Sequence, residues 1–235
     1  MITRIKVKPR MQSRTSRSVA PKNQRTYPAQ GEGESLSKED LFYSIYGLLH
    51  SPDYLSRYAD NLSKELPRIP AVKTYADFRA FSQADRDLAH WHLNYETIAC
   101  HPGVAIEETV SAPAEPERRY RVTKMKFAKT KDLASGKNVN DKTTVIYNEF
   151  ITLRNIPLAA YEYVVNGKPA LEWVMERQSV TTDKDSGITN DANLWATETM
   201  GNPKYPLELF LRVVTVGLET MKVVEELPKL EILEK

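Results

Sequence analysis

The chain has 235 residues but a single cysteine, Cys100. One thiol excludes an internal disulfide and any zinc site built from several cysteines, and it suits a reducing compartment, so we expect a cytoplasmic protein. No apolar run approaches the roughly 20 residues that a membrane helix needs, so we expect no membrane partner. The nine glycines never cluster ahead of a helix, which excludes a phosphate-cradling loop and the ATPase or helicase core that needs one.

Acidic residues are absent from the first 30 positions, which hold eight arginines and lysines. The formal net charge of +2 for the whole chain therefore leaves −6 for residues 31–235. The start of the chain is also rich in Ser, Gln and Pro and lacks a helical or strand period, which predicts a disordered basic tail over residues 1–36. We interpret it as a solvated tail or an expression remnant. A transit peptide and a nonspecific arm that attracts phosphates remain alternatives.

The sequence carries no constellation of catalytic residues. It contains no GxSxG motif, and Cys100 lies in a proline-bearing loop. His90 and His92 are two positions apart on a predicted helix, so they point to different faces and are not expected to share a metal. We predict structural histidines and a protein that is not itself an enzyme.

The polar stretch "TDKDSGITNDANLW", residues 182–195, has the composition of a metal-binding loop. Counted from Asp183, an EF-hand requires glycine at the sixth position and glutamate at the twelfth, where this chain has Ile188 and Leu194. We therefore predict neither a metal nor another cofactor. The Asp and Asn side chains should hydrogen-bond their own backbone in successive turns, with Trp195 anchoring the loop to the core.

Hydrophobic periods predict an α+β fold with a helical N-terminal part, a small antiparallel sheet and a long C-terminal core helix. "SKED" has the pattern of a capping box at Ser37. A loop of variable length is expected near residues 99–117, because it holds three prolines among small residues. The predicted helices begin after Ser37, at Pro52, at Tyr75 (to Tyr95), after Pro157 (to Val165), at Pro169 and at Pro206 (to Leu227). The predicted strands are "YRVTKMKF" (120–127) and "TTVIYNEFITL" (143–153), joined by the turn-rich "DLASGKNVND".

A basic stretch, "RRYRVTKMKFAKTK" at residues 118–131, has seven arginines and lysines, no acid, and two interleaved aromatic residues. A basic, aromatic strand in an otherwise acidic domain is typical of a surface that faces phosphates. A solvated edge strand protected by lysines has the same composition. Composition does not decide between the two.

Several long stretches resemble the C-terminal specificity domain of Type ISP restriction–modification enzymes. They are "LFYSIYGLLHSPDYLSRYADNLSKELPRIP", "HLNYE", "YVVNGKPALEWVMERQSVTTDKDSGITNDANLW" and "LFLRVVTVGLETMKVVEELP", in the family's order. The resemblance covers residues 37–228. It implies that residues 37–235 form a target recognition domain, the module that reads DNA sequence for a nuclease, a helicase-like translocase, a coupling region and an adenine methyltransferase in one long polypeptide. The chain departs from that pattern because it contains the last module alone, as an excised fragment or as a separate gene product. Ala192 is a smaller departure, because we expect a proline there.

We therefore predict sequence-specific recognition of double-stranded DNA in bacterial defence, with the nuclease, helicase and methyltransferase modules as partners. The alternative is a protein-interaction module that docks the methyltransferase or coupler and has little DNA affinity of its own; the acidic net charge of residues 31–235 favours it. Chemistry, rather than the resemblance, suggests the contact residues. Those expected to bind phosphates are Arg119, Arg121, Lys124, Lys126, Lys129 and Lys131. Those expected to read bases are Lys137, Asn138 and Asn140 in the predicted hairpin turn, with Arg177, Lys184 and Asn190 as further candidates near the polar loop.

Overall fold

The computed structural model describes residues 36–132 and 136–233, and it confirms the α+β class. The predicted tail, residues 1–36, lies outside the described residues except for Leu36, so it stays a prediction. No helix in the two described ranges combines the length and the apolar character that crossing a membrane requires.

The helices are α1 Lys38–His50, α2 Pro52–Arg57, α3 Ala59–Leu62, α4 Tyr75–Leu93, α5 Pro116–Arg119, α6 Ala170–Arg177, α7 Ala192–Leu194 and α8 Tyr205–Glu225. The strands are β1 Ala105–Glu108, β2 Lys126–Lys131, β3 Asn138–Ile146, β4 Ile151–Arg154, β5 Val164–Val165, β6 Lys168–Pro169, β7 Thr181–Thr182 and β8 Thr189–Asn190.

The N-terminal helices pack around a small core of their own. Ser37 begins α1 with the predicted capping box, since its hydroxyl accepts from the Asp40 amide at 3.0 Å and the Asp40 carboxylate accepts from the Ser37 amide. Helices α1 and α4 lie close together because α1 presents Gly47 to the backbone of α4. The buried residues of this core are Leu48, Tyr54, Val72, Phe78, Phe81 and Leu230.

The larger core lies between the four-stranded sheet and helices α6 and α8. The sheet is antiparallel in the order β1-β4-β3-β2, so β1 and β2 form its edges. Helix α8 is buried on most sides, as its nearly continuous apolar sequence predicted, and Gly217 brings it against the carbonyl of Ala160. A side chain at Gly217 would place its Cβ 2.7 Å from that oxygen, so only glycine fits this contact without a shift.

Three predicted elements are wrong in detail. The loop predicted near 99–117 contains β1, which pairs with β4. "TTVIYNEFITL" is a hairpin rather than one strand, because the chain turns at Asn148, whose Oδ1 accepts from the amides of Phe150 and Ile151. The helix predicted to reach Val165 is a short 3-10 turn, Leu158–Tyr161, followed by strand β5.

The Asn166-Gly167 pair, predicted to stop that helix, instead turns the chain from β5 into β6. Both residues have positive φ, 50° and 76°. Positive φ at both central residues is the geometry of a two-residue hairpin turn, and Asn-Gly is the pair that adopts it most readily.

Candidate nucleic-acid interface

The predicted basic strand begins later than its sequence suggested. Strand β2 starts at Lys126. A strand over residues 120–127 would place Val122 and Met125 on opposite faces, but both are buried. Within the sheet, Phe127 pairs with Val145 on the core side. Lys126 pairs with Ile146 on the exposed side of the sheet.

Beyond Phe127 the pairing of β2 with β3 shifts register at a bulge. Lys129 then pairs with Asn140, and Lys131 with Asn138. Asn138 and Asn140 were predicted in the hairpin turn; that position is wrong, because both lie in β3. Lys137 lies next to the turn, where its carbonyl accepts from the Asp132 amide at 2.9 Å.

Residues 120–122, which follow α5, lack a strand partner because side chains satisfy the backbone here. The carbonyls of Arg119 and Arg121 both accept from the Asn148 amide group, at 2.9 and 3.0 Å. The carbonyl of residue 120 accepts from the Tyr147 hydroxyl at 2.6 Å. The strand prediction failed here because these donors replace a neighbouring strand. The segment is nevertheless fixed in place at the base of β2.

Asn193 completes this arrangement, and the sequence reasoning missed it. Its Oδ1 accepts from the Val122 amide and its Nδ2 donates to the Val122 carbonyl, both at 2.8 Å. Asp191 caps α7 and accepts from the Asn193 amide at 2.9 Å. Asp191, at the N-cap of a short helix, was visible as a capping signal in the sequence. The sequence did not reveal that Asn193 binds Val122, which lies 71 residues away.

The two arginines of the segment are held by carboxylates. Arg119 pairs with Glu108 on the edge strand β1, and Arg121 pairs with Asp191 at 2.6 Å. The Asp191 side chain is almost completely buried, so its pair with Arg121 links the basic segment to the polar loop. Both arginines remain predictions as phosphate contacts, but each would have to share its guanidinium with an existing partner.

The lysines of the basic stretch 118–131 have fewer ionic partners than its arginines. Lys124, Lys126 and Lys131 are exposed, and no ion pair involves them within the described part of the chain. From residue 124 to 142 the sequence holds six lysines and two aspartates, a net charge of +4. This stretch therefore keeps a net positive charge, although Lys142 is paired with Glu172.

The polar loop is a hairpin of β7 and β8 whose turn is built as the sequence predicted. Asp183 Oδ1 accepts from the amides of Asp185 and Ser186, at 3.2 and 2.8 Å, and these bonds lower the pKa of the Asp183 carboxyl. Gly187, with φ +68°, closes the turn. The expected anchoring by Trp195 is wrong, because 48% of this residue is exposed and Asn193 is the buried anchor.

Three further candidates lie around this hairpin. Lys184 is exposed in its turn and Asn190 on β8, next to the aspartate that holds Arg121. Arg177 ends α6 with its guanidinium 5.3 Å from the centre of the Trp173 ring. The hairpin also joins the basic segment directly, since the Val180 amide donates to the Thr123 carbonyl at 2.8 Å. The hairpin that carries Lys184 and Asn190 is therefore attached to the basic segment.

A groove of about 480 Å³ runs between the basic segment and α6. Its rim carries Lys124 and Lys168, but also Glu172 and Glu176. Both carboxylates are already paired, Glu172 with Lys142 at 2.8 Å and Glu176 with Lys168. Mixed charge of this kind does not select for a phosphate, so the exposed strip of lysines is the better candidate surface.

The histidines and the cysteine have structural surroundings. His92 lies between the Tyr46 hydroxyl, 2.6 Å from its Nδ1, and the Thr220 hydroxyl, 2.9 Å from its Nε2. Burial, with a smaller effect of His50, lowers the pKa of His92 to about 4. The sequence did not predict that His50 and His92 would be neighbours. Burial raises the pKa of the Cys100 thiol, which is the opposite of an activated nucleophile. In residues 36–132 and 136–233, no three His, Cys, Asp or Glu residues are grouped as metal ligands.

Fold and charge together define an α+β domain with a basic, exposed strip along one sheet edge. The chain belongs to the Type ISP C-terminal specificity domain family, which it matches over residues 6–209. A search among curated proteins gives no match. The family match confirms the resemblance seen in the sequence.

Three solved structures contain a domain similar to this chain. A nuclease-deletion mutant of the Type ISP restriction–modification enzyme LlaGI, in complex with a DNA substrate mimic, is 44% identical with a TM-score of 0.69, over 85% of this chain and 17% of that one. The ATP-dependent Type ISP enzyme LlaBIII bound to DNA is 41% identical with a TM-score of 0.70, over 84% of this chain and 12% of that one. The DrdV–DNA complex is 32% identical with a TM-score of 0.63, over 84% of this chain and 19% of that one. The chain thus spans less than a fifth of each of these proteins.

Proposed function

We propose that this chain recognises duplex DNA by sequence, as the non-catalytic specificity module of a Type ISP restriction–modification system in the cytoplasm. The observation that carries the proposal is the strip of exposed lysines along β2 and just before it, of which Lys124, Lys126 and Lys131 have no carboxylate partner in the described ranges. Family membership and the three similar structures, all solved with DNA or a DNA mimic, support it. Nuclease, helicase and methyltransferase modules are the proposed partners.

In this proposal the lysines bind phosphates and set the register of the domain on the duplex, while polar side chains of the neighbouring strand read base edges. Phosphate contacts release condensed counterions, so each one adds about 0.9 to the slope of log affinity against log salt concentration. Surface position supports the assignment of Lys124 and Lys126 as phosphate contacts, because neither ammonium must leave a carboxylate before it meets a phosphate.

The test is a salt titration of duplex binding by the Lys124→Ala/Lys126→Ala variant. We expect weaker binding to every duplex and a salt slope about 1.8 smaller in magnitude, since two phosphate contacts are lost. The matched control is Lys38→Ala/Lys64→Ala, which removes the same charge from exposed positions in the helical N-terminal part. An unchanged slope in the first variant, or an equal change in the control, contradicts the assignment.

Binding to random duplex DNA, retention by the rest of the system and selection from a random pool separate the proposal from a docking module. Such a module would bind random duplex weakly even at low salt and would be retained by the rest of the restriction–modification system. A DNA-recognition module enriches one short motif from a pool of random duplexes.

A further inference from the structure

Strands β2 and β3 continue past the sheet as a two-stranded ribbon, defined here as residues 128–131 and 138–141. Strand β4 pairs with β3 only at Val145 and Ile146, so within the described residues no third strand borders the ribbon. Four residue pairs at roughly 3.4 Å per residue make the ribbon about 10 to 14 Å long, with its strands about 4.8 Å apart. The major groove of B-DNA is about 12 Å wide and admits a two-stranded ribbon.

The register gives the ribbon one polar face. Residues directly opposite each other in antiparallel strands point to the same side of the sheet. The pairs Lys129–Asn140 and Lys131–Asn138 are two residues apart along each strand, so all four side chains share one face. All four are exposed. The ribbon thus presents two ammonium groups and two amides together.

One of these amides has a fixed orientation. Lys129 Nζ lies 2.5 Å from Asn140 Oδ1. An ammonium group has only hydrogens to give, so it must face the oxygen end of the amide. The carbonyl oxygen keeps a second lone pair and the amide nitrogen keeps its hydrogens. Asn140 therefore presents one acceptor and one donor in a defined order.

That order matches one base edge. Adenine offers the N7 acceptor and the N6 donor in the major groove, and asparagine is a bidentate partner for both. Guanine offers two acceptors, N7 and O6, so the amide oxygen would face O6 without a hydrogen between them. Lysine is itself a partner for guanine, but Lys129 is already engaged with Asn140.

We propose that the ribbon enters the major groove with Asn140 reading an adenine, and that Lys129 is the positioning residue that fixes the Asn140 amide. This inference rests on the proposed function, because it names the base that the DNA-binding surface selects. Lys131, on the same face but paired with Asn138, binds a phosphate and carries no sequence information.

The test is selection of bound duplexes from a random pool by the 235-residue chain and by four variants. For the original chain we expect a motif that contains an adenine. Asn140→Ala should reduce the preference for that adenine by about 5- to 150-fold and leave the other positions unchanged. Lys129→Met should weaken the preference at the same position. Lys131→Met, the matched control, should lower the salt slope by about 0.9 and keep the adenine.

The outcomes separate the inference from the function. If the original chain enriches a motif and Asn140→Ala enriches the same one, the inference fails and the proposed function stands. A relaxed position that is not adenine, or equal relaxation by Lys131→Met and Lys129→Met, also overturns it. If the original chain enriches no motif, the proposed function itself fails. Thermal melting verifies that each variant folds, and Asn140→Gln, which can hold adenine in the same way, should keep the preference.

Discussion

Asn193 offers the sharpest test of how the basic segment is held. Its side chain makes two hydrogen bonds of 2.8 Å to the buried backbone of Val122. Truncation to alanine leaves both backbone groups without a protein partner, at about 1 to 3 kcal/mol for each buried group. We expect Asn193→Ala to lower the free energy of unfolding by about 2 to 6 kcal/mol, a large fraction of the roughly 5 to 15 kcal/mol that is usual for a domain. Urea denaturation followed by circular dichroism measures this change.

A nearly isosteric variant refines the same test. Asn193→Asp keeps an acceptor for the Val122 amide but turns a carboxylate oxygen toward the Val122 carbonyl, where the structure has an N–H donor. At neutral pH the loss should equal or exceed that of the alanine variant, and it should shrink in acid, because a protonated carboxyl again donates. Asn190→Ala, an exposed neighbour on β8, should change stability by less than about 0.5 kcal/mol. A loss for Asn193→Ala no larger than that of the control would refute the role of Asn193.

Three further substitutions probe the scaffold. Burial raises the pKa of Asp85 to about 8, so its contribution to stability is present in acid and lost as pH rises toward 8. In urea denaturation, the free energy of unfolding of Asp85→Asn should therefore rise relative to that of the original chain as the pH rises from 5 to 7. The expected rise is up to about 1.4 kcal/mol per pH unit. A constant difference between the two proteins contradicts this. The lowered pKa of His92 has the opposite effect on the free energy of unfolding. The contribution of His92 to stability is fully present above pH 6.5, and it is lost as the pH falls toward 4. His92→Gln should flatten that loss, and an unchanged acid limb would show that another group causes it. Gly217→Ala should lower the free energy of unfolding by about 1 to 3 kcal/mol, because the new Cβ meets the Ala160 carbonyl. The control is Gly103→Ala at an exposed position, where the new Cβ would meet only the movable His101 ring.

The sequence predicted elements whose signal is local. Helix α4 begins at Tyr75 as expected, because apolar residues recur along one face and Thr74 caps it. Helix α8 was expected to be central because its apolar residues extend round the helix, and the structure buries most of them. The Asp183 turn was also predictable, since aspartate accepts hydrogen bonds from amides two and three residues ahead.

The missed features depend on residues far apart in the sequence. An alternating pattern at 120–127 indicates a strand, but Tyr147, Asn148 and Asn193 satisfy that backbone instead. No local pattern reveals partners 27 to 71 residues away. The β2–β3 pairing was predicted, yet the bulge after Phe127 moved Asn138 and Asn140 from the turn into the ribbon. Their roles in binding DNA remain predictions.

The distribution of burial argues for a division between scaffold and recognition surface. Of the described residues between 99 and 142, only Val104, Val122 and Met125 are buried, whereas α8 alone buries twelve residues. Substitutions on the exposed ribbon therefore remove little packing and should leave stability within about 0.5 kcal/mol. The segment at the base of the ribbon is the opposite case, because Asn193 and Asn148 fix its backbone from the core side. A domain built in this way can exchange the side chains that read DNA while the geometry that presents them stays the same.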